Sequence, residues 1–196
     1  MLDRNFYSHD NVVEISRNLL GKVLFTFIDN QVTAGKIVET EAYCGLSDRA
    51  SHAYPNKKTR RNSVMFEKGG VAYVYMIYGI HYLFNIVTGP KDVPNAVLIR
   101  ALEPVEGIDI MCRRRDRSNT KRITSGPGSL SKALGINLDL YGNSLLSEKI
   151  WIEDQDEIIP EQGIVATTRI GVDYAGEDAF LPWRFYLQDN PWVSRK

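Results

Sequence analysis

A chain of 196 residues, 43% apolar and 24% charged, has the make-up of an ordinary globular domain and is long enough to bury a substantial core. That sets aside the disordered and fibrous classes. Its 24 basic and 24 acidic residues cancel, so net charge selects no partner, and any electrostatic preference must come from how charge is distributed. Lys57, Lys58, Arg60 and Arg61 fall close together, "RRRDRSNTKR" at 113–122 holds six cations against one anion, and acids gather in "EDQDE" at 153–157. A neutral chain with such separation can still present a basic face. Cys44 and Cys112 are the only cysteines and match neither a disulfide framework nor a Cys-x-x-Cys metal site. They read as reduced thiols in a cytoplasmic protein. "MLDRNFYSHDN" lacks the charged-then-apolar layout of a signal peptide.

In chain order, "HDNVVEISRNLLG" predicts a helix, with Asn11 and Glu14 as a capping box and Gly21 as its stop. "KVLFTFI" at 22–28 and "GKIVETEAY" at 35–43 predict strands joined by a short polar turn. Residues 44–70 are polar, basic and irregular, a long loop of the kind that is more often functional than idle. Residues 71–78 and 80–87 form two apolar runs hinged at Gly79, a hairpin unusually rich in tyrosine: "YVYMIYGIHYLFNI". Residues 69–90 carry no Asp, Glu, Lys or Arg, but their tyrosines, His81, Asn85 and β-branched residues suit two strands better than a membrane span. "NAVLIRALEP" predicts a strand leading into a helix with Pro104 near its first position. "SGPGSLSKALGI" predicts a turn and a short helix closed by Gly135, and "GIVATTRIGV" and "RFYLQD" predict short strands. There is no βαβ alternation, repeat or Gly-rich phosphate fingerprint. The expected fold is α+β: one domain over 1–196 with a curved, mostly antiparallel sheet, flanking helices and a protruding aromatic hairpin.

Strand alternation in "VETEAY" puts Glu39, Glu41 and Tyr43 on one face and Val38, Thr40 and Ala42 on the other. Either the carboxylates face water on a half-exposed strand, or one is a general base beside an aromatic platform. His52 is an ordinary polar residue or a functional one. With His81 and a glutamate it would make a zinc site, though the spacing matches no tight metal signature. Arg100, set among apolar residues, needs an anion, as a structural pair or as the partner that orients a catalytic carboxylate or water. "SGPGS" is a phosphate-binding helix start or simply a turn.

Six stretches in order, "VETEAYCGLSDRASHA", "MFEKGGVAYVYMIYGIHYLFNIV", "VLIRALEP", "SGPGSLSKALGI", "RIGVDYAGE" and "RFYLQDNPWVS", resemble the alkyladenine (3-methyladenine) DNA glycosylase family, in its mammalian-type branch. The resemblance implies a catalytic set of Glu41, which activates water, and Arg100 with the backbone of Ile170, which hold that water. It implies Tyr43, His52 and Tyr75 around an extruded base, Asn85 as a guard against normal purines, and Tyr78 as the residue that enters the duplex. It further implies a monomer acting on double-stranded DNA that contains damaged purines, with no cofactor and no metal. The expected substrates are 3-methyladenine, 7-methylguanine, hypoxanthine and ethenoadenine, released by water without strand cleavage. The chain departs from the family pattern at Ser129, where lysine is expected, at Arg60, where proline is expected, and at Ser63, where arginine is expected. These bear on DNA grip rather than on the catalytic set. Two rival readings are a nucleic-acid-binding module without chemistry and a metal-dependent hydrolase using His52, His81 and a glutamate.

Overall fold

In the computed structural model, which describes residues 1–117, 120 and 122–195, the chain opens with a one-turn helix, α1 (Arg4–Tyr7), capped by Asp3. A second helix follows, α2 (Val12–Asn18). Asn11 caps α2 through the Glu14 N–H at 3.1 Å, but only half of the predicted box forms: the Asn11 N–H goes to His9 Nδ1 instead. β1 (Val23–Ile28) and β2 (Gln31–Tyr43) then make a hairpin whose turn is just Asp29–Asn30. Both turn residues have positive φ, the mirror-image turn that matches strand twist and that Asp and Asn tolerate. β2 is therefore longer than its predicted span.

The hairpin of β3 (Val71–Ile77) and β4 (His81–Thr88) turns through Tyr78, Gly79 and Ile80. β5 (Asn95–Glu106) runs past Pro104, which lies within the strand and not at a helix start. Gly35 of β2 still pairs with Pro104, so the missing N–H falls near a strand end, where proline is tolerated. Gly107 at φ 70° makes the break, and α3 (Ile108–Arg115) begins after it. α4 (Pro127–Leu134) has proline in its first turn and is closed by Gly135 in the left-handed region, as its sequence implies. β6 (Ile150–Glu153), β7 (Ile164–Thr167) and β8 (Arg184–Leu187) complete the strands. "GIVATTRIGV" is a strand only over β7; beyond it the chain turns inward at the buried Arg169.

The strands form one curled antiparallel sheet in the order β3-β4-β5-β2-β1-β6. β2 is long enough to pair with β5 on one edge while β1 and then β8 share the other, and β7 pairs with β8. Alternation sorts the side chains. Ala72, Val74, Phe84, Ile86, Val97, Ile99, Val38 and Ala42 join the main core with residues of α2 and α4. Thr40 reaches α2 through a buried pair of hydrogen bonds with Ser16. The opposite face carries Tyr73, Val87 and Ala96, over which Ala53, Val64, Met65 and Phe66 of the long loop pack. That loop is thus not structureless: it contains a 3-10 turn, Ser63–Phe66, and is anchored by a small core of its own. A further cluster of Ala50, Val172 and Ala175 joins it to 3-10 turns over Asp173–Phe180. These two segments roof the second face.

Lys57, Lys58, Arg60 and Arg61 are all exposed. In the other basic cluster Ser118, Asn119 and Lys121 lie outside the described residues. Arg114 of that cluster turns inward, donating to the carbonyls of Ile28 and Ala133 and to Thr33 Oγ1. Cys44 and Cys112 are not joined in a disulfide. No helix among the described residues is long and apolar enough to cross a membrane.

Candidate active site

Strand register gathers the site. Tyr73 pairs with Asn85, Asn85 with Leu98, Leu98 with Glu41, Glu41 with Arg184 and Arg184 with Thr167. Directly paired residues project from the same face, so this is one row across six strands. Compensating irregularities between β2 and β5 then adjust it. Ile37 pairs with Leu102 and Glu39 with Ala101, so Val38 is extra on β2; Thr40 pairs with Ile99, so Arg100 is extra on β5. A bulge re-aims the side chain it carries, and here it keeps Arg100 beside both glutamates.

The result is a cavity of about 800 Å³ between the sheet face and its two covering segments. Tyr43, His52, Tyr75, Tyr78, Asn85, Arg100 and Ile170 all line it. Glu41 is not itself a lining residue but contacts three that are, Tyr43, Arg100 and Ile170. It is completely buried, as is Glu39, and neither faces water as the plain strand reading would have it. Glu41 Oε1 accepts the Ile170 N–H at 2.8 Å and lies 3.2 Å from Arg100 Nη1, while Oε2 accepts the Tyr43 hydroxyl at 2.7 Å. Burial, and next the Glu41 charge, push the Tyr43 phenol well above the usual range, so it acts as a donor to the carboxylate. Burial by itself would pull the Arg100 guanidinium down, but Glu41 and Glu39 outweigh it and hold its pKa above that of ordinary arginine.

His52 and Tyr75 meet edge to face at 4.6 Å and form a single wall. Behind them the Tyr73 hydroxyl and His52 Nδ1 are 2.8 Å apart. Protein packed around the imidazole, and then the Arg61 cation, lower His52 to about 4, so the ring is neutral at pH 7. The Arg61 guanidinium lies 5.0 Å from the centre of the Tyr75 ring. Asn85 is buried, its Nδ2 donating to the Tyr73 carbonyl at 3.2 Å, which fixes the amide in the cavity wall. Tyr78, at the hairpin tip, is 85% exposed and holds φ at 54°. That conformation is uncommon for a residue other than glycine and clusters at functional positions. An aromatic ring projected into solvent serves no core.

"SGPGS" makes a turn into α4: Gly126 takes φ 116°, and Gly126 to Ser129 line the cavity. A Cβ at Gly128 would lie 3.0 Å from the His81 ring, a tight contact that His81 would have to yield to. His81 therefore sits against α4, while His52 Nδ1 engages Tyr73. Among the described residues no three His, Cys, Asp or Glu side chains gather as a metal site.

The structure adds residues that the sequence did not single out. Arg169, wholly buried, makes a bidentate ion pair with Asp48, donates to the carbonyls of Ala42 and Asp178, and packs over the rings of Tyr43 and Trp183. It immediately precedes Ile170, so it places the N–H that reaches Glu41. Both residues of this pair lie inside the resembling stretches, but their neighbours gave no signal of burial: Asp48 lies between Ser47 and Arg49, and Arg169 between Thr168 and Ile170. Tyr174 is 70% exposed, lines the cavity and donates to the Ala50 carbonyl.

Chemically, the cavity offers aromatic faces to a flat ring, and a fixed carboxylate is bonded to its lining residues Tyr43, Arg100 and Ile170. The family described as Methylpurine-DNA glycosylase matches residues 5–191. Curated relatives named "Putative 3-methyladenine DNA glycosylase" span essentially the whole chain. That of Clostridium novyi is 45% identical over 204 residues, covering 100% of this chain and 98% of its own. That of Desulfitobacterium hafniense is 42% identical at the same coverage, and that of Chlamydia abortus is 47% identical, covering 95% of this chain and 98% of its own. The chain belongs to the methylpurine-DNA glycosylase family: it is a DNA glycosylase, an enzyme that hydrolyses N-glycosyl bonds.

Proposed function

We propose that residues 1–196 act as one monomeric, monofunctional base-excision-repair domain in the cytoplasm. It flips an alkylated or deaminated purine out of double-stranded DNA and hydrolyses its glycosidic bond with a water activated by Glu41. The observation that carries this reading is the setting of the Glu41 carboxylate. A carboxylate offers about four acceptor positions, and Ile170, Arg100 and Tyr43 occupy three of them, two on Oε1 and one on Oε2. The fourth, on Oε2, receives the water. Its proton passes to Glu41 as the oxygen attacks the sugar carbon, and the base departs with the glycosidic electron pair.

Flipping costs a few kcal/mol, least for a damaged base that pairs poorly. Stacking is worth about 1–3 kcal/mol per base, so Tyr43 and the His52–Tyr75 wall, with Tyr78 filling the vacated place in the duplex, roughly offset that cost. A methylated purine carries positive charge, leaves readily and favours electron-rich faces. Hypoxanthine and ethenoadenine are neutral and need a proton as they leave. Asn85, fixed in the wall, clashes with the amino group of normal guanine and so rejects it. No lysine is among the described residues that line the cavity, which supports water, and not an amine, as the nucleophile.

The test is release from separate duplexes containing hypoxanthine, ethenoadenine or alkylated purines, in excess chelator, with abasic sites read by alkali cleavage. Release from any of them fits the proposal and gives the substrate range. Binding without release from all three would leave a binding module.

A further inference from the structure

Behind Glu41 lies a second carboxylate that the reaction above does not use. Glu39 is completely buried and does not line the cavity. A buried charge is tolerated only when it is paired and hydrogen-bonded, and Glu39 is held from three directions. Its Oε1 accepts from Arg100 Nε at 3.0 Å and from Arg184 Nη1 at 2.9 Å, and its Oε2 accepts the Ser194 N–H at 2.7 Å. Arg184 is itself fixed, donating to the carbonyls of Thr168 and Arg195. β5, β8 and the C-terminal segment therefore converge on one side chain two residues from Glu41.

Arg100 is the link. Its Nε faces Glu39, and its Nη1 faces Glu41 at 3.2 Å. A guanidinium is a rigid plane, so fixing one nitrogen fixes the direction of the others. Held by Glu41 alone, Arg100 would be free to pivot and take the acceptor position meant for water. Held by Glu39 as well, it occupies one position on Oε1 and leaves Oε2 open.

We propose that Glu39 is a positioning residue for base release: it anchors Arg100, and the C-terminal backbone at Ser194 completes that anchor. This rests on the reading that Glu41 and Arg100 manage the attacking water. A merely structural carboxylate would affect folding or DNA affinity; a positioning one lowers the rate of the bound complex.

The experiment measures single-turnover release from a hypoxanthine duplex, separating the maximal rate constant from the half-saturating protein concentration. Thermal unfolding confirms that each variant is folded at the assay temperature. Glu39→Gln is expected to lower the maximal rate roughly 10- to 100-fold, the scale of about a 1 Å misplacement, with half-saturation within about threefold of wild type. Ser194→Pro, which removes the N–H that reaches Glu39 together with the hydroxyl and fixes φ, is expected to lower the same rate about three- to tenfold. A folded Glu39→Gln whose rate lies within about twofold of wild type, or whose loss is confined to affinity, overturns the proposal. If Glu39→Gln does not fold, Ser194→Pro decides on the same terms. Glu41→Gln is run alongside: its full activity would overturn the assignment of Glu41, whereas an inactive Glu41→Gln beside an unaffected Glu39→Gln overturns the role of Glu39 alone.

Discussion

Asp48 and Arg169, 121 residues apart in sequence, form a bidentate ion pair from which solvent is wholly excluded. The pair ties the first covering segment of the cavity to the second, and Arg169 presses against Tyr43 at 4.9 Å on the way. Breaking one partner of such a pair leaves an uncompensated buried charge, which costs about 3–5 kcal/mol. Asp48→Ala is therefore expected to lower the free energy of unfolding by about that much, read from urea denaturation. A loss below about 1 kcal/mol would mean that water reaches Arg169 and the roof is looser than described.

Tyr43 has two jobs that one substitution separates. Its ring lines the cavity, and its hydroxyl donates to Glu41 at 2.7 Å. Tyr43→Phe keeps the ring and removes the donor. A hydrogen bond to a charged group is worth about 1.5–3 kcal/mol, so base release should slow by about tenfold or more while affinity for damaged DNA is retained. Weakened binding at an unchanged rate would contradict the division of labour.

Tyr78→Ala should weaken binding to damaged duplex by about 1–3 kcal/mol, the worth of one stacked ring. Folding should be unaffected, because the side chain is 85% exposed and belongs to no core cluster. Calorimetric or fluorescence titration, together with a melting curve, checks both halves. A variant that melts early would show the ring to be structural after all.

His52 carries a pH prediction. Although the residue is exposed, partial desolvation of the imidazole and then Arg61 hold its folded pKa at about 4, below the ordinary value of about 6.5. Between those values the unfolded chain binds the proton and the folded chain does not. The stabilisation from a neutral His52 is therefore complete above about pH 6.5 and declines as pH falls toward 4. Urea midpoints at pH 7.5 and 5.0 should differ more for wild type than for His52→Gln. Equal differences would place the imidazole in a water-like setting.

The strands were legible because alternation and turn residues are local signals. "YVYMIYGIHYLFNI" shows its hairpin through Gly79, and the face shared by Glu39, Glu41 and Tyr43 follows from the two-residue period. Pro104 misled because proline suits both a helix start and a strand end, and only the partner strand decides between them. The roof was not legible. The long loop owes its shape to packing of Val64, Met65 and Phe66 on Tyr73, and the Asp48–Arg169 pair is a contact that no local pattern encodes. The cavity-lining positions were identified through the resemblance and not through pattern: alternation shows that Glu41 and Glu39 share a face, but not that both are buried. What sets them apart is the pair of bulges at Val38 and Arg100, and bulges are settled by pairing across strands.

The most direct test compares wild type and Glu41→Gln in single-turnover release from one lesion-containing duplex, with affinity measured on the same DNA. The account predicts that release is abolished and that affinity stays within about tenfold, roughly 1.4 kcal/mol. Release by Glu41→Gln at the wild-type rate would contradict it and remove Glu41 from the chemistry.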